Sequence, residues 1–138
     1  MKYLLDTNVV SEIRRKSPDS RVVSWFAQSE TDSLAISALT LGEIVKGAES
    51  LARRDPAAAQ SLLAWLEELR LGFADRILGI DDAIAMTWGR LCAARPLPVI
   101  DGLLAATALV YDLTVVTRNT ADFTHCKVRL FNPWTALA

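Results

Sequence analysis

Four acidic or amide positions, scattered along the chain, carry residue types that can do chemistry. Asp6 stands in Leu4-Leu5-Asp6-Thr7-Asn8, Glu43 in Leu39-Thr40-Leu41-Gly42-Glu43 and Asp101 in Val99-Ile100-Asp101-Gly102. Asn119 and Asp122 share the segment Thr117-Arg118-Asn119-Thr120-Ala121-Asp122-Phe123. Each reads as a place where a strand hands over to a helix or loop, and apolar runs precede the first, third and fourth. Such a run delivers a polar group to the rim of a core. Carboxylates gathered on one rim repel one another, an arrangement that a hard divalent cation would neutralise. Mg²⁺ or Mn²⁺ held by few carboxylates keeps several waters and open positions, so the expected chemistry is metal-assisted.

The elements that must position these groups alternate in type. Tyr3 to Leu5 reads as a short buried strand, followed by a helix from Val10 to Arg15. Lys16-Ser17-Pro18-Asp19-Ser20 breaks the chain before a second helix, Val22 to Gln28. Ser33 to Ile36 is a second strand and Leu39 to Leu51 a third helix. Asp55-Pro56 opens a fourth helix by the cap-then-proline signal, with Leu62, Leu63, Leu66 and Leu69 at helical spacing. Ile77 to Ile80 reads as a strand, and Asp81 as the cap of a fifth helix reaching about Cys92. Pro96-Leu97-Pro98 punctuates before an alanine-rich sixth helix, Ile100 to Val110. Thr114 to Thr117 and Val128 to Phe131 complete the strands, closed by Asn132-Pro133-Trp134. This order implies an α/β fold, a central mostly parallel sheet flanked by helices on both faces in an α/β/α sandwich. Ligands of such sheets sit outside the carboxyl ends of the strands, where Asp6 and Asn119 fall.

Composition bounds the function. The chain has 138 residues, read as one domain spanning 1–138 and long enough to bury a sizeable core. Hydrophobic residues make up 51%, which argues against disorder. Fifteen Lys and Arg face sixteen Asp and Glu, so no strong basic field exists to hold nucleic acid by charge alone. Cys92 and Cys126 lie far apart and read as reduced thiols, and the opening Met1 to Asp6 lacks a signal-peptide apolar core. The expectation is a soluble, cytoplasmic protein.

Taken singly, each candidate also has a purely structural explanation. Asp6-Thr7-Asn8 can be a turn bonding its own backbone, and Glu43 can complete a capping box with Thr40. Asp101 can cap or charge-match its helix. Asn119 and Asp122 lie in a polar loop, and helix capping accounts for Asp81 and Asp82 in full. The conjunction of positions, and no one residue, points to chemistry.

That conjunction resembles a family. The segments Leu4 to Val9, Ser37 to Glu43, Ile100 to Ala108 and Val116 to Asn119 are similar, in order, to those of PIN-domain ribonucleases. The nearest subgroup is the toxins of VapBC-type toxin–antitoxin pairs, whose chain ending the run Phe131-Asn132-Pro133-Trp134 also resembles. The resemblance implies a Mg²⁺- or Mn²⁺-dependent endoribonuclease acting on RNA, with Asp6, Glu43 and Asp101 as the three main acidic residues. Asp6 and Asp101 map onto the firmest metal ligands. Asn119 aligns with the fourth position while Asp122 stands three residues later, and both stay open. The family also implies a small DNA-binding antitoxin and a homodimer formed around Trp134 or the fifth helix.

The inventory fits water attack assisted by a metal, with Glu43 or Asp101 orienting or deprotonating the water. Cleavage by paired histidines is excluded, because His125 is the only histidine. Arg14, Arg15 and Lys16, with Lys46, Arg53 and Arg54, are the cations that could grip phosphates if they flank the acidic cleft. Trp25, Trp65, Trp88 and Trp134 read as core or interface anchors. Two rival classes are an aspartyl phosphotransfer or receiver-like module using Asp6 as nucleophile, and a non-catalytic interaction module. The first lacks its usual second aspartate, since position 8 is Asn8, and the second is disfavoured by retention of all three main carboxylates.

Overall fold

Leu4 and Leu5 are both fully buried yet face opposite ways, and this period-2 alternation organises the molecule. Leu4, Ala35, Leu78 and Val115 point into one apolar cluster, and Leu5, Leu34, Ile36 and Val116 into another. A sheet buried on both faces is expected to be parallel, with helices on each side. The computed structural model, which describes residues 1–135, has that form. Its strands are β1 (Tyr3–Leu5), β2 (Leu34–Ser37), β3 (Ile77–Leu78), β4 (Thr114–Val116) and β5 (Arg129–Phe131). They run parallel throughout, in the order β3-β2-β1-β4-β5.

The helices are α1 (Thr7–Arg14), α2 (Ser20–Gln28), α3 (Ala38–Ala52), α4 (Pro56–Phe73), α5 (Asp82–Ala94) and α6 (Val99–Tyr111). Side-chain caps fix most of their starts: Asp6, Asp19, Ser37, Asp55 and Asp81 each accept a backbone N–H of the first turn. α1, α2 and the end of α4 pack on one face of the sheet. α6 lies on the other, where Ala105, Ala106 and Ala108 are fully buried and let its backbone approach closely. α5 packs against α6, and α3 pairs with α4.

Boundaries differ from the sequence expectation in places. α1 begins at Thr7 instead of Val10, because Asp6 caps it directly at the end of β1. β3 stops at Leu78, two residues before Ile80. Trp134 is buried with Val116 and Phe73. No helix among the described residues is long and apolar enough to cross a membrane.

Candidate active site

The strand order creates the site. From β1 the chain builds outward through β2 to β3, then returns to the other flank of β1 as β4. The crevice outside the carboxyl ends of β1 and β4 is therefore the topological switch point, where open α/β sheets bind ligands. Asp6 follows β1 immediately, and Thr117 follows β4. The Asp6 N–H donates to the Val116 carbonyl at 2.9 Å, stitching the two strand ends together.

Asp6 is buried and heavily bonded. Its Oδ1 accepts from the Thr7 N–H at 2.7 Å, and its Oδ2 accepts from the Thr117 hydroxyl at 2.9 Å. The Asn8 amide donates to Asp6 Oδ2 at 3.4 Å and to Thr117 Oγ1 at 3.3 Å. Asn8 Oδ1 accepts in turn from the Arg118 N–H at 3.3 Å, so the two loops hold each other. The local turn that the sequence allows for Asp6-Thr7-Asn8 is real, and it also fixes the carboxylate.

Glu43 lies within α3 and not at a strand end. Ser37, whose Oγ accepts from the Leu39 N–H at 3.0 Å, caps that helix, so the capping box between Thr40 and Glu43 does not form. Glu43 Oε1 instead accepts from the Thr7 hydroxyl at 2.6 Å, and Thr7 Oγ1 lies 3.0 Å from Thr40 Oγ1. Asp101 sits in the first turn of α6, reached from a helix and a Pro-rich loop and not from a strand. Its side chain makes no capping bond there, so of its two structural explanations only the charge match with the first turn of α6 remains. Gly102 lets α5 close on α6: a Cβ at that position would stand 2.9 Å from Trp88 Cδ1 and 3.3 Å from Cys92 Sγ.

Electrostatics join these groups. The Asp6 pKa is raised, first by burial, against the bonds from Thr117 and Thr7, and further by the charges of Glu43 and Asp122. Asp101 is raised too, by burial and then by Asp6, Asp122 and Glu43. Among the described residues no cation forms an ion pair with any of the four. Asn119 is exposed and donates its backbone N–H to Thr117 Oγ1 at 3.1 Å, while its carbonyl accepts from the Asp122 N–H. A groove of about 540 Å³, lined by Glu43, Lys46 and Ile100, runs along α3 toward the start of α6.

An uncompensated set of carboxylate oxygens suits a hard divalent cation. Among the described residues, no three His, Cys, Asp or Glu groups close into a ready cage.

The cations expected to flank the cleft divide. Arg14 and Arg15 sit at the far end of α1, about 10 Å along the axis from Thr7. Arg14 donates to the Ser61 hydroxyl and lies over Trp65, and Arg15 pairs with Glu12. Only Lys46 of the named cations lines the groove. The threonines Thr7, Thr40 and Thr117, which hold the carboxylates, escape sequence reasoning because buried threonine is ordinary in strands and helices. Their closeness in the chain to Asp6 and Glu43 is the one signal that could find Thr7 and Thr40.

Comparison with known proteins agrees with this geometry. Residues 3–127 match the PIN domain family, and the chain belongs to it. Toxin FitB of Neisseria gonorrhoeae is 36% identical over 137 residues, covering 95% of this chain and 97% of that protein. VapC ribonuclease Y4jK of Sinorhizobium fredii is 30% identical, over 95% of this chain and 96% of its own length. The solved structure of FitAB bound to an IR36 DNA fragment superposes with a TM-score of 0.87 at 33% identity, over 99% of this chain and 98% of that one. Membership in the PIN family sets the receiver-like alternative aside.

Proposed function

We propose that this protein is the toxin of a type II toxin–antitoxin pair, an endoribonuclease dependent on Mg²⁺ or Mn²⁺. One observation carries the reading: Asp6 and Asp101, both pushed up first by burial and then by neighbouring carboxylates, share the switch-point crevice with no cation to balance them. The relatives named a toxin and a VapC ribonuclease support the same assignment.

Asp6 and Asp101 would hold the metal, which when bound supplies Lewis-acid polarisation of the phosphodiester. Thr7 and Thr117 keep Glu43 and Asp6 in place, so neither carboxylate reorganises during the reaction. Glu43 is the group placed to orient or deprotonate an attacking water. Asp122 adds negative charge to the same crevice and is our choice over Asn119 for the fourth acidic position.

A free ribonuclease needs restraint, and a small DNA-binding antitoxin is the inhibitor we infer. Sequence spacing offers α3 and α4 for its apolar groove, through Ile44, Val45, Leu62, Leu63, Leu66 and Leu69; in this fold Ile44 and Leu66 are buried while Val45 and Leu63 stay exposed. A groove of about 350 Å³ between α1, α2 and α4, lined by Ile13, Phe26, Trp65 and Leu69, suits an apolar segment better. An arginine from such a partner would meet the acidic cluster bidentately. Homodimerisation is left to α5, where Met86 is 57% exposed. We place the protein in the cytoplasm.

The test is cleavage. Protein freed of partner should cut single-stranded RNA with Mg²⁺ or Mn²⁺ and stop on adding EDTA. Robust cutting in excess EDTA would sink the mechanism.

A further inference from the structure

Arg95, in the loop between α5 and α6, reaches across thirty residues of chain to place Nη1 3.2 Å from His125 Nδ1. A guanidinium can only donate, so Nδ1 presents its lone pair and the ring proton sits on Nε2. That contact orients Arg95 without offering it a counter-charge. Arg90, Arg95, His125 and Lys127 line a cavity of about 340 Å³ floored by Leu91 and Leu97. No acidic side chain lines it. Among the described residues, Arg90, Arg95 and Lys127 enter no ion pair, whereas Arg15, Arg21, Arg76 and Arg129 each have a carboxylate. Arg90 reaches only the Thr87 hydroxyl, at 3.5 Å. Three like charges around one cavity repel, and an anion relieves them.

Chain continuity ties the cavity to the carboxylates. Its walls are two segments that lead to candidate site residues: the α5–α6 loop runs into Asp101, and the stretch through Lys127 follows Asp122. Asp122 and His125 are three positions apart, so their Cα atoms lie within about 11 Å. The negative charge of Asp101 also reaches Cys126 in the cavity wall, adding to the burial and the Cys92 charge that raise its thiol pKa. Cations so near a scissile phosphate contact the phosphates flanking it, and a planar guanidinium over an apolar floor also admits a base by stacking.

We propose that this cavity is an RNA subsite, in which Arg95 and Lys127 grip a backbone phosphate beside the scissile bond and His125 positions Arg95. The proposal rests on the ribonuclease reading above, and its test separates the two. Binding of a short fluorescent single-stranded RNA to the full chain, freed of partner, is measured in EDTA at several salt concentrations. Arg95→Ala/Lys127→Ala should bind several-fold more weakly, with a log–log salt slope flatter by about 0.7, the contribution of the one phosphate charge left unneutralised. With metal present, its KM should rise while kcat holds. His125→Ala should weaken binding less, and Arg21→Ala, whose cation is tied to Asp19, should change nothing. Weakened RNA binding by the double variant supports the subsite even if wild type cleaves nothing, an outcome that sinks only the ribonuclease reading. If wild type cleaves RNA and the double variant matches it in affinity, slope and KM, the subsite is overturned and the ribonuclease stands. Loss of antitoxin binding with RNA affinity intact overturns it too, as does a wild type that binds no RNA.

Discussion

The two ends of α1 handle carboxylates in opposite ways. Near its carboxyl end, Glu12 is buried but accepts from the Asp19 N–H at 2.8 Å and from Arg15 at 3.1 Å. Its pKa is lowered, chiefly by the Asp19 N–H. Asp19 caps α2, is bonded twice by Arg21, and falls to about 2. At the amino end, Asp6 is also buried and also accepts several bonds, yet it and Asp101 are pushed up. Donors are abundant in both places. What differs is counter-charge: the corner at Glu12 and Asp19 brings its own arginines, and the switch-point crevice brings further carboxylates. One region is complete as folded, and the other is completed by a ligand.

The sharpest way to break that contrast is to neutralise each end in turn. Asp6→Asn and Asp101→Asn should each cut RNA cleavage by at least about a hundredfold, the loss that even outer-shell changes can cause. In EDTA at neutral pH their melting temperatures should equal or exceed wild type, because a repelled charge has gone. Glu12→Gln should do the reverse, keeping activity while melting a few degrees lower. Either aspartate variant retaining near-wild-type rates at saturating Mg²⁺ would dissolve the distinction.

A smaller effect sharpens the boundary of the acidic region. The charge of Asp122 acts on both Asp6 and Asp101, while Asn119 contributes backbone bonds that any residue keeps. Asp122→Ala should therefore lower cleavage by roughly tenfold, and Asn119→Ala much less. Equal losses from both would return the fourth position to Asn119.

Much of this arrangement is legible in the chain. Leu4-Leu5-Asp6 places a carboxylate at a strand end through a strictly local pattern, and Asp55-Pro56 and Asp81 cap helices as their spacing says. Asp101 is different. Its station depends on how closely α5 and α6 approach, which Gly102 and Trp88 decide only after folding. Glu43 reads as a helix residue until Thr7, 36 positions away, binds it. The run Arg14-Arg15-Lys16 looks like a patch because Trp65, over which Arg14 lies, is remote in sequence, although the Glu12–Arg15 pair has the i,i+3 spacing of one helix face. The cations around Arg95 are hidden for the same reason, since His125 lies in a separate loop.

The subtlest consequence is a stability profile with two slopes of opposite sign. Asp6 and Asp101 carry pKa values above the ordinary 3.8, so over that interval the folded chain holds more protons than the unfolded one. Stability must then fall as pH rises from about 4 through the raised values. Asp19, lowered to about 2, works the other way: its contribution is present above 3.8 and is lost as pH drops toward 2. Asp19 is partly exposed and its partner Arg21 is exposed, so its part is small and fades in high salt. Urea midpoints in EDTA from pH 2 to 7 separate the two, read as differences from wild type. Asp6→Asn/Asp101→Asn should gain on wild type as pH climbs above about 4 and track it below. Asp19→Asn should track wild type above that pH and lose less below it. Mg²⁺ should lift the wild-type midpoint at neutral pH and leave the double variant unmoved. A wild-type midpoint that Mg²⁺ leaves in place, with no gain in the double variant, would mean the crevice is as self-sufficient as the corner at Asp19.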